Sequence, residues 1–212
     1  MKNVSVRIEG NIISAEILET IALAKADKQK SKDFGLDPSD KVKDSIAYKW
    51  SEAKSLYTIF KSKMTRIKPT DTGISETRRF WMLIFLDFLD YTPVKASADF
   101  VNGKSYAISH RAENLNKFPI HIMGFNQSLD KKPDTGLRMS PHALVQEYLN
   151  LTEHLYGIVT NGIYLRLLRN SSRLTRLSYL EFNLEQMMEE DLYADFALLY
   201  RTLHSSRMPK NS

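Results

Sequence analysis

Four arginines, Arg166, Arg169, Arg173 and Arg176, fall within eleven residues with no acid among them. Guanidinium groups fork onto phosphate oxygens, and several of them without counter-charge mark a surface for a polyanion. Asn170, Ser171 and Ser172 stand between them and can add neutral hydrogen bonds to a sugar-phosphate backbone. Nucleic acid is the first candidate for the partner this pattern implies. The competing reading is neutralisation within the chain. Glu185, Glu189, Glu190, Asp191 and Asp195 follow the arginines and are numerous enough to pair with all four. The histidines His110, His121, His142 and His154 lack the helical i, i+4 spacing or short strand spacing of metal sites, so no metal is expected. His121 lies in an apolar segment and is expected to be a core imidazole.

The elements that position the arginines are β-prone. Two apolar runs, residues 155–160 and 163–169, flank Asn161-Gly162, a strong hairpin signal. The spacing predicts a tight hairpin that hands over to a cationic loop, with residues 179–182 as an edge strand. Residues 118–125 (FPIHIMGF) read as a strand buried on both faces, and Asn102-Gly103 centres another hairpin over residues 94–110. Ser140-Pro141 starts a helix, with Ser140 as cap and Pro141 first in line. Residues 126–139 read as a surface loop. The first 91 residues are mostly helical. A short strand at 4–8 precedes a helix at 12–26, and Asp37-Pro38 is expected to start a second helix that runs to Met64. A third, over 75–91, is apolar around most of its circumference and belongs in the core, with Phe80, Trp81, Phe85 and Phe88 as packing residues. Asp87 inside it is expected to hydrogen-bond a neighbouring backbone group. Residues 193–204 make a closing helix with Phe196, Leu199, Tyr200 and Leu203 inward.

This order gives an α/β class, with α+β as the alternative: helices over residues 1–91, then a mixed-sheet core over 92–212, within one structural domain. A helix between the strands at 118 and 155 implies a right-handed crossover if they are parallel. The 42% hydrophobic content supports a real core across 212 residues. No apolar run reaches the roughly 18 residues that span a bilayer. The chain has no cysteine, which excludes disulfides and thiol chemistry and favours a cytoplasmic setting. The net charge of +5 is too small to assign a partner by itself.

Several segments resemble one family. They are YAISHR at 106–111, FPIHIMGFNQSLD at 118–130, SPHALVQEYLN at 140–150, HLYGIVTNGIYLRLLRNSSRLTR at 154–176 and LYADFALLYRTLHSSR at 192–207. Together these segments are similar to the N-terminal region of bacterial restriction–modification and phage-defence DNA methyltransferases, the SAM-dependent, adenine-modifying, type IIG-like kind. The resemblance implies a restriction-endonuclease-like core placed ahead of a catalytic part. Methylation itself needs a glycine-bearing SAM loop and an (N/D)PP(Y/F) motif for the flipped base. The chain has no Pro-Pro and no glycine-rich strand-to-helix turn. SAM would therefore belong to a separate catalytic domain or subunit, and no cofactor is expected in this chain.

The related nuclease fold cuts DNA with an acid on one strand and acid-x-Lys on the next, holding Mg²⁺. The strand at 118–125 carries Ile120, His121, Ile122 and Met123 there and has no carboxylate. Asp130 and Lys132 match acid-x-Lys literally, with Asp99 as partner acid, but 26% of the chain is charged and short matches arise by chance. Whether the chain is an enzyme is left open. The leading expectation is a non-methylating module that binds DNA or docks the catalytic part. The alternatives are a Mg²⁺-dependent endonuclease using Asp99, Asp130 and Lys132, and a protein–protein adaptor of a defence complex.

Overall fold

The computed structural model describes residues 4–10, 12–134, 136, 138–170 and 178–209. The strands are β1 (Val6–Glu9), β2 (Pro93–Lys95), β3 (Asp99–Val101), β4 (Lys104–Tyr106), β5 (His110–Ala112), β6 (Phe118–Ile122), β7 (Tyr156–Thr160), β8 (Tyr164–Arg169) and β9 (Tyr179–Asn183). The helices are α1 (Ala15–Ala22), α2 (Val42–Met64), α3 (Ile74–Thr77), α4 (Leu83–Phe88), α5 (Pro141–Leu151), α6 (Leu184–Glu189) and α7 (Tyr193–Leu203). A π-helical turn, Arg78–Met82, joins α3 to α4.

Seven strands form one mixed sheet in the order β1-β9-β8-β7-β6-β5-β2, and β3 pairs with β4 in a separate ribbon. The fold is therefore α/β. Its one parallel pair among the described residues is β6–β7, and α5 lies between them in sequence. Every residue of β6 is buried, as expected of a run that is apolar but for His121. One sheet face packs under α1, α2, α4, α6 and α7, and its core holds Phe60, Trp81, Phe85, Ile120, Leu165, Phe182 and Phe196. The other face packs under α5 and the β3–β4 ribbon through Ile108, Val145, Leu149, Val159 and Leu168. The N-terminal helices and the sheet thus share one core. No helix among the described residues is long and apolar enough to cross a membrane.

Local chemistry explains several boundaries. The Ser140 hydroxyl accepts from Ala143 N–H at 3.2 Å, and Pro141 opens α5 as read from the sequence. Asp37-Pro38 does not start α2. Asp37 accepts from both the backbone N–H and the hydroxyl of Ser39, at 3.0 and 2.7 Å, which closes a turn, and the helix begins at Val42. Asp87 is exposed on the solvent side of α4. The strand at 179 is not an edge, since β1 pairs along its outer side.

The two Asn-Gly pairs behave differently. Asn102-Gly103 forms a two-residue turn with φ of 48° and 79°, the primed geometry that suits twisted strands. Its hairpin is shorter than the sequence implies, because residues 93–95 and 110–112 leave it to join the main sheet. At Asn161-Gly162 only residues 161–163 separate β7 from β8, and Asn161 N–H donates to Tyr164 O at 3.2 Å, so this turn is tight as expected. Here Asn161 Oδ1 also accepts the N–H groups of Ile163 and Tyr164, at 3.1 and 2.9 Å.

Candidate polar site on the α5 face

Sheet register lines up one row of side chains across the α5 face. His121 of β6 lies beside Val159 of β7, Val159 beside Arg166 of β8, Arg166 beside Glu181 of β9, and Glu181 beside Arg7 of β1. Alternation forces this placement, since Leu165, Leu167, Leu180 and Phe182 take the opposite face. Ser109 extends the row beyond His121, donating its N–H to His121 Nδ1 at 3.2 Å.

Arg166 is the centre of the row and is 5% exposed. It forks Asp130 through both terminal nitrogens, at 2.6 and 2.9 Å, and donates Nε–H to Glu181 at 2.5 Å. Its guanidinium lies 4.6 Å from the Tyr179 ring centroid. Burial opposes its charge, but the bonds to Asp130 and Glu181 outweigh burial and raise its pKa. The same bond from Arg166 holds Asp130 below the usual carboxylate range. His142 Nδ1 lies 3.2 Å from Arg166 Nη1, and burial, with the neighbouring Arg166 charge, pushes His142 down to about 4. It is a neutral imidazole at pH 7.

The loop that delivers Asp130 is clasped to two turns. Phe125 N–H donates to Thr77 Oγ1, Asn126 Nδ2 to Asp71 O, and Asn161 Nδ2 to Gln127 O, at 3.0, 2.7 and 2.8 Å. Gly124 passes so close to Thr72 that an added Cβ would sit 2.0 Å from its carbonyl oxygen. A cleft of about 480 Å³ opens here, lined by Arg7, Asp130, Asn161, Tyr164, Arg166 and Glu181 among others. The four charged groups in it, two of each sign, leave no net charge.

Asp99, the other candidate acid, sits on a different arginine. Arg111 donates to it at 2.6 Å and Tyr148 O–H at 2.7 Å, while the Arg111 guanidinium stacks 4.8 Å from the Tyr148 ring centroid. Burial raises the Asp99 pKa, but these two donors overcome it and the net shift is downward. Lys132 is exposed on the loop. The three residues of the nuclease alternative are therefore held in three separate settings. Among the described residues no three His, Asp or Glu groups gather as metal ligands. The seat between Asp130 and Glu181 that a hard cation would need is filled by the Arg166 guanidinium.

The cationic segment divides. Arg166 is internal. Arg169 is exposed at the end of β8, and its side chain has no partner among the described residues. The Asn170 amide donates to Leu149 O at 2.7 Å, tying the strand end to α5. Ser171, Ser172, Arg173 and Arg176 lie outside the described residues. Three of the five downstream acids are engaged elsewhere: Glu189 pairs with Lys61, Asp191 with Lys54, and Asp195 accepts from Ser5 N and Oγ at 2.8 and 2.7 Å.

Sequence reading missed Glu181, the pairing of Asp99 with Arg111 and Tyr148, and the contact between His142 and Arg166. The signal for Glu181 was present: it is the odd residue in an alternating YLEF run, opposite an arginine in LRLLR. His121 is core as expected, 3% exposed, yet its Nε2 has no hydrogen-bond partner. No protein-family model matches this sequence, and comparison with curated proteins and with solved structures likewise finds no match.

Proposed function

We propose that this chain is a non-cleaving, restriction-endonuclease-like module that holds DNA beside a separate SAM-dependent adenine methyltransferase part. What supports the core assignment is the run β2–β5–β6, each antiparallel to the last, followed by α5 and a β7 parallel to β6. The observation that carries the non-cleaving half is Arg166. It occupies the space between Asp130 and Glu181, and the row continues across β6 as His121 rather than a carboxylate. The DNA-holding half rests on Arg169, an exposed guanidinium without a partner among the described residues, which precedes Arg173 and Arg176 in the sequence. SAM is assigned to the other part because this chain lacks the motifs that bind it.

The test is a DNA gel shift across a salt series, run beside a plasmid-nicking assay with Mg²⁺. The expected outcome is salt-sensitive binding without nicking. Nicking that disappears in Asp99→Ala or Asp130→Ala would reinstate the endonuclease reading, and failure to bind at low salt would remove the DNA-holding role.

Docking of the methyltransferase part is a second role for the same module, and one observation favours it. Phe100, on the β3–β4 ribbon, is 77% exposed. Large exposed rings of this kind are typical anchors at protein interfaces. Phe100→Ala would weaken association with the catalytic part and leave DNA binding unchanged.

A further inference from the structure

Between α1, strands β7 to β9 and the end of α7 lies a cavity of about 760 Å³, within the size range of small-molecule sites. Its walls are aliphatic. Ile12, Ile17 and Ile21 come from the α1 segment, Leu167 and Leu180 from the sheet, and Met208 from the segment after α7. Tyr156 is the one aromatic ring in the lining. Such walls suit a flexible hydrocarbon chain better than a nucleobase, which needs faces to stack on.

One end of the cavity is cationic. Lys28, Arg201 and Arg207 line it, against the single carboxylate of Asp27. Three arginines of the described chain are buried: Arg111, Arg166 and Arg201. Arg111 and Arg166 each meet carboxylates, as buried charges must. Arg201, 9% exposed, does not. Its partner is the neutral amide of Gln29, at 2.9 Å. Arg207 donates to the backbone carbonyls of Lys28 and Asp33 and stacks 4.3 Å from the Phe34 ring centroid, again without a carboxylate. Among the described residues neither guanidinium beside this cavity has the direct carboxylate ion pair that Arg111 and Arg166 have, although the Asp33 charge acts on Arg207 from a distance.

We propose that this cavity binds an aliphatic monocarboxylate, its chain between α1 and the sheet and its carboxylate on Arg201 and Arg207. A carboxylate offers two coplanar oxygens to the guanidinium fork and one negative charge, which fits a pocket end that already contains Asp27. This site is independent of the DNA-holding role.

The test is isothermal titration of the full chain with decanoate, decanol and decyl phosphate. Decanoate saturates a single site, and decanol, with the same chain and no charge, binds at least about tenfold more weakly. Arg201→Gln lowers decanoate affinity by about tenfold or more and leaves decanol unchanged. Arg201→Lys, which keeps the charge, retains part of the preference. Ile17→Trp, at an α1 position that is 53% exposed, fills the mouth and blocks both ligands. Circular dichroism establishes that each variant is folded. If Arg201→Gln does not fold, Ile17→Trp decides alone, and unchanged decanoate binding there overturns the site. Equal affinity for decanoate and decanol overturns it, as does the absence of saturable decanoate binding in the millimolar range. Tighter binding of decyl phosphate overturns the carboxylate assignment.

Discussion

The indole N–H of Trp81 donates to the carbonyl oxygen of Gly162 at 2.8 Å, joining the π-helical turn to the β7–β8 connection across 81 residues of sequence. Gly162 has φ of +83°, and a Cβ there would lie 2.9 Å from Thr77 Cγ2 and 3.1 Å from Trp81 Cδ1. Thr160 Oγ1 accepts the Gly162 N–H at 3.0 Å, so the turn is bonded from both sides. Trp81→Phe keeps most of the packing and leaves a buried carbonyl unpaired, at a cost of about 1–3 kcal/mol. Gly162→Ala adds strain and a clash and destabilises by more than about 1 kcal/mol. Urea unfolding of both variants and of the double variant measures this, and additive effects would show that the two residues are not coupled.

Arg166 and its two acids are expected to differ in their effects on stability. Glu181 and Arg166 have side chains only 10% and 6% exposed, whereas the Asp130 side chain is 62% exposed. Arg166→Met leaves Glu181 buried without a partner and costs about 3–5 kcal/mol. Asp130→Asn removes a largely solvated carboxylate and stays within about 1 kcal/mol. Denaturant midpoints decide, and a mild Arg166→Met variant would mean that the row tolerates an unpaired acid.

If Arg169 touches phosphate, Arg169→Ala lowers the slope of log affinity against log salt by about 0.9. Arg173→Ala and Arg176→Ala are expected to act alike. Asp130→Asn tests the converse: it leaves the slope unchanged as long as Arg166 remains internal. A triple variant at 169, 173 and 176 with the parent's slope would move DNA contact away from this segment.

Acid stability follows the buried imidazoles. Burial is the largest cause of depression for His110, His121, His142 and His204, each pushed down to about 4. In the unfolded chain an imidazole titrates near 6.5, so between about pH 6.5 and 4 the unfolded state binds more protons. Stability therefore declines as pH falls through that window, by about 1.4 kcal/mol per pH unit for each such group. Asp99 and Asp130, whose pKa values are lowered, add their losses only at lower pH. Thermal unfolding at pH 7, 6, 5 and 4 reads the slope, and His204→Gln reduces it by one proton. A flat profile across the window contradicts the burial of these rings.

What the sequence made legible is what short-range chemistry controls. Ser140-Pro141 could be read because capping is decided within four residues, and β6 because its run is apolar but for His121. Asn161-Gly162 could be read as a hairpin turn for the same reason, but nothing nearby reveals that Asn161 takes two backbone N–H groups or that Trp81 holds the next carbonyl. Arg166 was read as a surface charge for a related reason. Its partners lie 36 residues upstream and 15 downstream, and only the strand register brings them to it. That Arg201 meets the Gln29 amide and, among the described residues, no carboxylate had no local signature, because a missing counter-charge is a property of the whole enclosure.

The first strand has a consequence for how the molecule comes into being. β1 is made early, yet its neighbour β9 and its anchor Asp195, 190 residues after Ser5, are made much later. Until they emerge, β1 has no place to dock, and until it docks, the outer rim of β9 is an open template for any passing strand. Deleting β1, or α7 with its Asp195 anchor, would bare the same rim, so either deletion should show up as sticky, self-associating protein.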